Sequence, residues 1–142
     1  MKTVYTAHVT SHGGRDGFVR SDDGQINLKL GMPMPGQTNG TNPEQLFAAG
    51  YSACFHSALK MIARSKGVDA TESQVTAHVA LNKDEHHTYR LGVVLEIAIP
   101  GLADEEVHQL AEAAHQMCPY SNATRGNIVV ELKVVQAEPL QR

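Results

Sequence analysis

Residues 42–67 read as a helix with more apolar surface than one small domain can readily cover, and no other stretch constrains the fold as much. Asn42 can cap its start, Pro43 suits the first helical position, and Gln45 at the third can reach back to the cap. Gly67 can end it in a left-handed conformation, so the helix is expected to run to Ser65. From Leu46 to Ala58 apolar and small residues occupy most of the circumference, and such a helix should be buried on several sides. A chain of 142 residues is long enough for one domain with a real core and too short for two ordinary ones. Residues 1–142 are therefore expected to form a single domain, and the helix's surplus apolar surface points to a dimer.

The flanking segments alternate. Tyr5, Ala7 and Val9 against Thr6, His8 and Thr10 predict a half-buried strand, broken by Gly13-Gly14-Arg15-Asp16-Gly17. Phe18 to Ser21 and then Ile26, Leu28 and Leu30 predict two strands around the turn Asp22-Asp23-Gly24. Gly31 to Gly40, with Pro33 and Pro35, is expected as a loop. After the helix, Val75 to Leu81 and Leu91 to Ile99 alternate on either side of a polar link, Asn82 to Thr88, which is a second hairpin. Val107, Leu110, Ala111, Ala114 and Met117 mark one face of a second helix, with Asp104, Glu105 and Glu106 in its first turn and Pro119 halting it at Cys118. Ile128 to Val135 predicts a last strand, and the tail after Gln136 should be loose. The sum, βββ-α-ββ-α-β, is an α+β fold with a mostly antiparallel sheet and two main helices.

Composition narrows the function. A net charge of -3 without a basic stripe argues against a general nucleic-acid binder. Met1 to Thr10 lacks the apolar core of a signal peptide, and Ser52, His56, Ser57 and Lys60 interrupt the apolar helix too often for a membrane span. Cytoplasmic is the default expectation. In that compartment a cysteine pair that cycles is commoner than a permanent disulfide.

There are two cysteines, Cys54 within the apolar helix and Cys118 at the end of the second. Their separation excludes a CxxC motif, and their number excludes a four-cysteine zinc site. Three readings stay open: a buried structural pair, two unrelated thiols, or a reactive thiol with its resolving partner. A buried Cys54 would have a raised pKa, so reactivity requires a cation from another segment. Lys60 lies six residues on and on the wrong face. Arg15, flanked by glycines that let the backbone turn sharply, is the most suggestive source, although on spacing alone an ordinary solvated loop arginine is the better fit. Cys118 sits at a helix C-terminus, where the macrodipole disfavours a thiolate and a half-exposed position is usual, which suits a resolving thiol better than an attacking one. Eight histidines invite a metal reading, but none matches a ligand spacing. His86 and His87 point apart if extended, His108 and His115 are about 10 Å of helical rise apart, and His56 lacks two further ligands. No metal site is expected. His56, beside Cys54, reads as core packing, and nothing in the pattern assigns Arg125 a role.

Thr41-Asn42-Pro43-Glu44-Gln45-Leu46-Phe47-Ala48-Ala49-Gly50-Tyr51-Ser52-Ala53-Cys54-Phe55, together with Cys118-Pro119-Tyr120-Ser121-Asn122-Ala123-Thr124-Arg125-Gly126-Asn127, closely resembles the organic hydroperoxide resistance (Ohr) branch of the Ohr/OsmC family. The resemblance covers essentially the whole chain, including Gly13-Gly14-Arg15-Asp16-Gly17, with Met32-Pro33-Met34-Pro35 its least typical stretch. It implies an OsmC-like intertwined homodimer with active sites at the subunit interface. It further implies a thiol peroxidase that reduces organic hydroperoxides, fatty-acid hydroperoxides among them, to alcohols. Carried over by motif, Cys54 is the peroxidatic nucleophile, Cys118 the resolving thiol, and Arg15 and Glu44 the charged pair beside the reactive sulfur. A Cys54 sulfenic acid and a Cys54–Cys118 disulfide would follow, recycled by dihydrolipoyl thiols or a lipoylated protein, with no bound cofactor. Leu46, Phe47, Phe55 and Met61 would suit a hydrocarbon tail, and each is equally at home in a core.

Glu44 and Cys54 are ten residues apart, about 15 Å along a continuous helix, so they cannot flank one sulfur within a single straight helix. Either the helix breaks near Gly50 or one of the pair comes from the partner chain. Two alternatives to the Ohr reading are an OsmC-like peroxidase of different substrate range and a non-catalytic dimer that binds an apolar ligand or senses oxidants.

Overall fold

The structure is a computed structural model that describes residues 1–33 and 39–137. It resolves into two compact units, Met1–Leu46 and Phe47–Arg142. The first unit holds an antiparallel sheet of three short strands, β1 (Val9–His12), β2 (Phe18–Ser21) and β3 (Asn27–Lys29), in the order β1-β2-β3. A one-turn 3-10 helix, Gly14–Asp16, joins β1 to β2. The expected turn at Asp22-Asp23-Gly24 is present, with Gly24 at φ 76° and Asp23 Oδ1 accepting from the Ser21 hydroxyl and the Gln25 N–H.

The first strand departs from the expectation. Its ladder starts at Val9, opposite Ser21, and ends at His12, opposite Phe18, so Tyr5 and Ala7 lie outside it. The reason is register: the Asp22 N–H still reaches the His8 carbonyl at 3.1 Å, and there β2 gives way to the turn at Asp22-Asp23-Gly24, leaving Tyr5 and Ala7 without a partner strand among the described residues. The loop expected over 31–40 is described only at its ends, and Met34 and Pro35 lie outside the described residues, as does the tail beyond Ala137.

The long helix α1 (Pro43–Ser65) spans the stretch predicted for it. Asn42 Oδ1 accepts the Gln45 N–H at 2.8 Å, satisfying one of the free donors of the first turn. The reciprocal half of the capping box is replaced: Gln45 Oε1 accepts from the Thr41 hydroxyl instead. Gly67, at φ 68°, closes the C-terminus, and the Val68 N–H returns to Ala63 O.

In the second unit, β4 (Gln74–Lys83) and β5 (Tyr89–Ala98) form an antiparallel hairpin paired from Gln74↔Ala98 to Lys83↔Tyr89, and β6 (Val130–Val134) adds in parallel to β5. One face of this sheet packs into a core with α1 and α2 (Asp104–Met117): Tyr51, Phe55, Leu59 and Ala63, one stripe of α1, meet Val93, Leu95 and Ile97 and the α2 face Val107, Leu110, Ala111 and Ala114. Met117, expected on that face, is exposed, because α2 is already giving way to the turn at Cys118. Burial of α1 is likewise narrower than expected. Within the single chain Tyr51, Phe55, Ala58, Leu59 and Ala63 are buried, while Leu46, Phe47, Ala48, Gly50 and Cys54 are half-buried.

A short helix absent from the predicted order, α3 (Pro119–Thr124), follows α2 directly. Pro119 does halt α2, as expected, but it also occupies the first position of α3, where its missing N–H costs nothing. The architecture is thus α+β with two main helices and two small sheets, antiparallel apart from the β5–β6 pair. No described helix is long and apolar enough to cross a membrane.

Candidate active site

The four residues singled out by motif meet in two pairs, one in each unit. In the first unit, the glycines around Arg15 do the work expected of them. Gly13 and Gly14 take φ 81° and 61°, and a side chain on Gly17 would strike the His12 carbonyl oxygen at 1.6 Å. The tight turn presents Arg15 to Glu44 in the first turn of α1. Arg15 Nη1 donates to Oε2 at 3.0 Å and Nη2 to Oε1 at 2.7 Å, a two-point contact in which the side chains are 44% and 15% exposed. Arg15 is therefore a paired residue rather than a free solvated arginine. Its hydrogen bonds hold the Glu44 carboxyl below the ordinary glutamate range against the opposing effect of burial.

In the second unit, Cys118 is both the C-terminal cap of α2 and the N-terminal cap of α3. Its N–H donates to Ala114 O at 2.9 Å, and its carbonyl accepts the Asn122 N–H at 3.0 Å. Its thiol donates to Cys54 Sγ, with the sulfurs 3.5 Å apart and both thiols free. Two unrelated thiols are thereby excluded. The burial of the two is the reverse of the expectation: Cys118, at a helix end, is fully buried, and Cys54, within the apolar helix, is half-buried. Local context misled on both counts, since Cys118 belongs to the core cluster and Cys54 sits at the margin of the buried stripe of α1, packed against that core. Burial nonetheless pushes the Cys54 thiol above its ordinary value; the backbone N–H of Tyr120 pulls the other way, and Cys118 adds to the rise. None of these influences is a cation.

Gly50 is not a break. α1 runs continuously from Pro43 to Ser65. A Cβ at Gly50 would lie 2.4 Å from the Tyr120 hydroxyl, so the glycine lets the Tyr120 ring lie against the helix. Tyr120 also packs on Phe47 and Tyr51, with ring centroids 6.0 and 5.6 Å away.

Behind the thiols runs a buried polar chain that pattern reading did not find. Tyr51 Oη lies 2.8 Å from Ser121 Oγ and 3.2 Å from Thr124 Oγ1, and Ser121 Oγ lies 2.7 Å from His115 Nδ1. Arg125 donates to Asn122 Oδ1 at 2.8 Å and to the carbonyl of His115, tying the end of α2 to α3. This chain pins α3, and with it Cys118 and the Tyr120 N–H, to α1 and α2. Serine and threonine in a six-residue helix give no sequence signal of such a role. His56, beside Cys54 in sequence, is held by Ser73 at 2.9 Å, whose hydroxyl donates to Ala70 O, in keeping with the packing role expected of it. Among the described residues no group of three or more His, Cys, Asp or Glu is placed to hold a metal ion.

An apolar cavity of about 590 Å³ adjoins this segment, lined by Phe47, Leu91, Pro119, Tyr120, Ala123 and Ile128 among others. Of the side chains expected to suit a hydrocarbon tail, Phe47 lines it. Phe55 is wholly core, and Met61 is 62% exposed and borders a different hollow beside Lys60 and Arg64.

Comparison with known proteins places this arrangement. The sequence model of the OsmC-like protein family matches residues 36–133. The chain is 45% identical to the organic hydroperoxide resistance protein OhrB of Bacillus subtilis over 92% of its own length and 98% of that protein's. The crystal structure of that OhrB superposes with a TM-score of 0.85, covering 94% of this chain and all of the other. An organic hydroperoxide resistance protein from Elizabethkingia anophelis, 48% identical, superposes at 0.86 over 96% of this chain and all of the other. An OsmC-like protein from Mycoplasma pneumoniae, 15% identical, shares the fold at 0.72, covering 96% of this chain and all of the other. With two main helices, two small sheets, a paired arginine on a glycine turn and two thiols in contact, the chain belongs to the OsmC-like family, in its organic hydroperoxide resistance branch.

Proposed function

We propose that the protein is a cysteine-based peroxidase that reduces organic hydroperoxides, fatty-acid hydroperoxides among them, to alcohols. The observation that carries this reading is the 3.5 Å contact between a half-buried thiol and a fully buried one. The accessible Cys54 is the attacking group and the enclosed Cys118 the resolving one. The Cys54 thiolate attacks the distal oxygen of the hydroperoxide; the O–O bond breaks, and the departing alkoxide takes a proton to leave as the alcohol. Cys54 is left as a sulfenic acid. The Cys118 thiol attacks that sulfur, a Cys54–Cys118 disulfide forms, and the hydroxyl departs as water. Two electrons from a dihydrolipoyl dithiol return both cysteines to thiols and leave the lipoyl disulfide.

A raised Cys54 pKa is unhelpful at neutral pH, so a cation must reach the thiol when the site is assembled. With α1 unbroken, ten residues of it between Glu44 and Cys54 amount to about 15 Å of rise. We place the Arg15–Glu44 pair of a second copy at Cys54, in a homodimer that also covers the half-buried side of α1. There Arg15 would stabilise the thiolate and then the alkoxide, with Glu44 holding the guanidinium in line. A cytoplasmic location, expected from the sequence, is the one in which a dihydrolipoyl donor would serve.

The test is turnover of cumene hydroperoxide with dihydrolipoamide. Cys54→Ser should be inactive, and Cys118→Ser should consume one equivalent and stall. Full turnover by Cys54→Ser would overturn the mechanism. Sedimentation should find a dimer, and mixing Arg15→Ala with Cys54→Ser chains should restore about one active site per heterodimer.

A further inference from the structure

The cavity beside α3 has one charged side chain among its described lining residues, Arg90, at the start of β5. The guanidinium is oriented from behind. Its Nε donates to Asp84 Oδ2 at 3.2 Å, while Asp84 Oδ1 accepts the N–H groups of His86 and Thr88 in the hairpin turn. That turn is an anchored base: Asp84 is held below the ordinary aspartate range by those backbone bonds first and by Arg90 less. Among the described residues the terminal nitrogens of Arg90 have no acceptor, and its side chain is 58% exposed. A second cation stands close by, since Lys83 Nζ lies 5.4 Å from the ring centroid of Tyr89, itself a lining residue. The opposing charge of Glu85 sits on an 86% exposed side chain against His86.

The rest of the wall is mostly apolar, with Thr124 and Asn127 its polar members, and its α3 part adjoins the segment that holds the thiols. Pro119 and Tyr120 directly follow Cys118, and the Tyr120 N–H acts on the Cys54 thiol. Phe47 lies seven residues before Cys54 on α1, on the same helical face and about 10 Å along it. A cavity of about 590 Å³ falls within the range that encloses a small ligand. A mostly apolar cavity with a single arginine in its described lining fits a long-chain carboxylate.

We infer that this cavity takes the hydrocarbon chain of a free fatty-acid hydroperoxide with its carboxylate on the terminal nitrogens of Arg90, which makes Arg90 a specificity-determining residue for free acids over their esters. The inference rests on the peroxidase reading and deepens it. It is tested by measuring kcat/KM for linoleic acid hydroperoxide and for its methyl ester, below their aggregation concentrations, with dihydrolipoamide as reductant. Wild type, Arg90→Gln and Arg90→Lys are compared, and wild type is also assayed on cumene hydroperoxide. The acid-to-ester ratio should fall about fivefold or more in Arg90→Gln, chiefly through KM, with Arg90→Lys retaining part of it. The wild-type preference should shrink as salt is added. An unchanged ratio in Arg90→Gln overturns the subsite and, if wild type still consumes cumene hydroperoxide, leaves the peroxidase reading standing. If wild type consumes none of the three, the peroxidase reading fails by itself. Equilibrium binding of linoleate then decides the subsite: weaker binding by Arg90→Gln upholds it, and equal binding removes it.

Discussion

Gly50 lies in the middle of α1, where glycine costs helix stability, and the Tyr120 ring occupies the space its side chain would need. Alanine there would gain up to about 1 kcal/mol of helix propensity. It would also force the Tyr120 ring, packed between Phe47 and Tyr51, out of place, at a cost of about 1–3 kcal/mol. Gly50→Ala should therefore destabilise the protein, and in a Tyr120→Ala background the same substitution should become stabilising. Denaturant unfolding of the four proteins of that cycle checks the change of sign; a destabilisation of equal size in both backgrounds would mean that Tyr120 is not what the glycine accommodates. At this scale the sequence was partly legible. The glycines around Arg15 announced a tight turn, because φ and steric demands are local. Gly50 announced only an irregularity, because its reason is a ring seventy residues away in the chain.

At the scale of elements, α3 decides the geometry of the thiols. It is too short to hold itself together by its own hydrogen bonds, since forming a first helical turn is unfavourable. The chain from His115 through Ser121 to Tyr51 and Thr124 fastens it. Tyr51→Phe keeps the ring in the core and removes one link. It should cost about 1 kcal/mol and raise the Cys54 thiol pKa, as the Tyr120 N–H loses its fixed place. Thermal unfolding and the thiolate absorbance at 240 nm read the two effects separately. A stability loss with an unmoved Cys54 titration would confine Tyr51 to the core. The main helices and the long hairpin were visible in the apolar periodicity, because each repeats its signal over ten or more residues. β1 and α3 were misplaced or missed, because a four-residue strand and a six-residue helix take their limits from what they pack against.

For the whole molecule, pH is a sensitive probe. Burial lowers the pKa of His56, with Lys60 adding to it, and burial lowers that of His115, with Arg125 adding and Glu112 opposing. The unfolded chain binds more protons than the native one just below the ordinary histidine pKa of about 6.5, so stability increases with pH there. The contribution of these groups is complete above about pH 6.5 and is lost as pH falls through their lowered native values. Glu44, Asp23, Asp69 and Asp84, all held below their ordinary range, lose theirs only further down, below about pH 4. Melting temperatures should thus drop between pH 7 and 5, and again in stronger acid; a flat profile from pH 7 to 5 would contradict the burial of both histidines.

The order of the strands and the two main helices, the cap at Asn42, the stop at Gly67 and the pairing of a glycine-turn arginine with Glu44 could all be expected from the sequence or from the family its motifs resemble. Each depends on periodicity, a local dihedral demand or a motif spread over neighbouring residues. Tertiary structure alone decided which thiol is enclosed, why Gly50 is a glycine, what holds α3, and that Arg90 lines a largely apolar cavity. Those facts depend on which distant segments meet, and a pattern of neighbours along the chain contains no record of that.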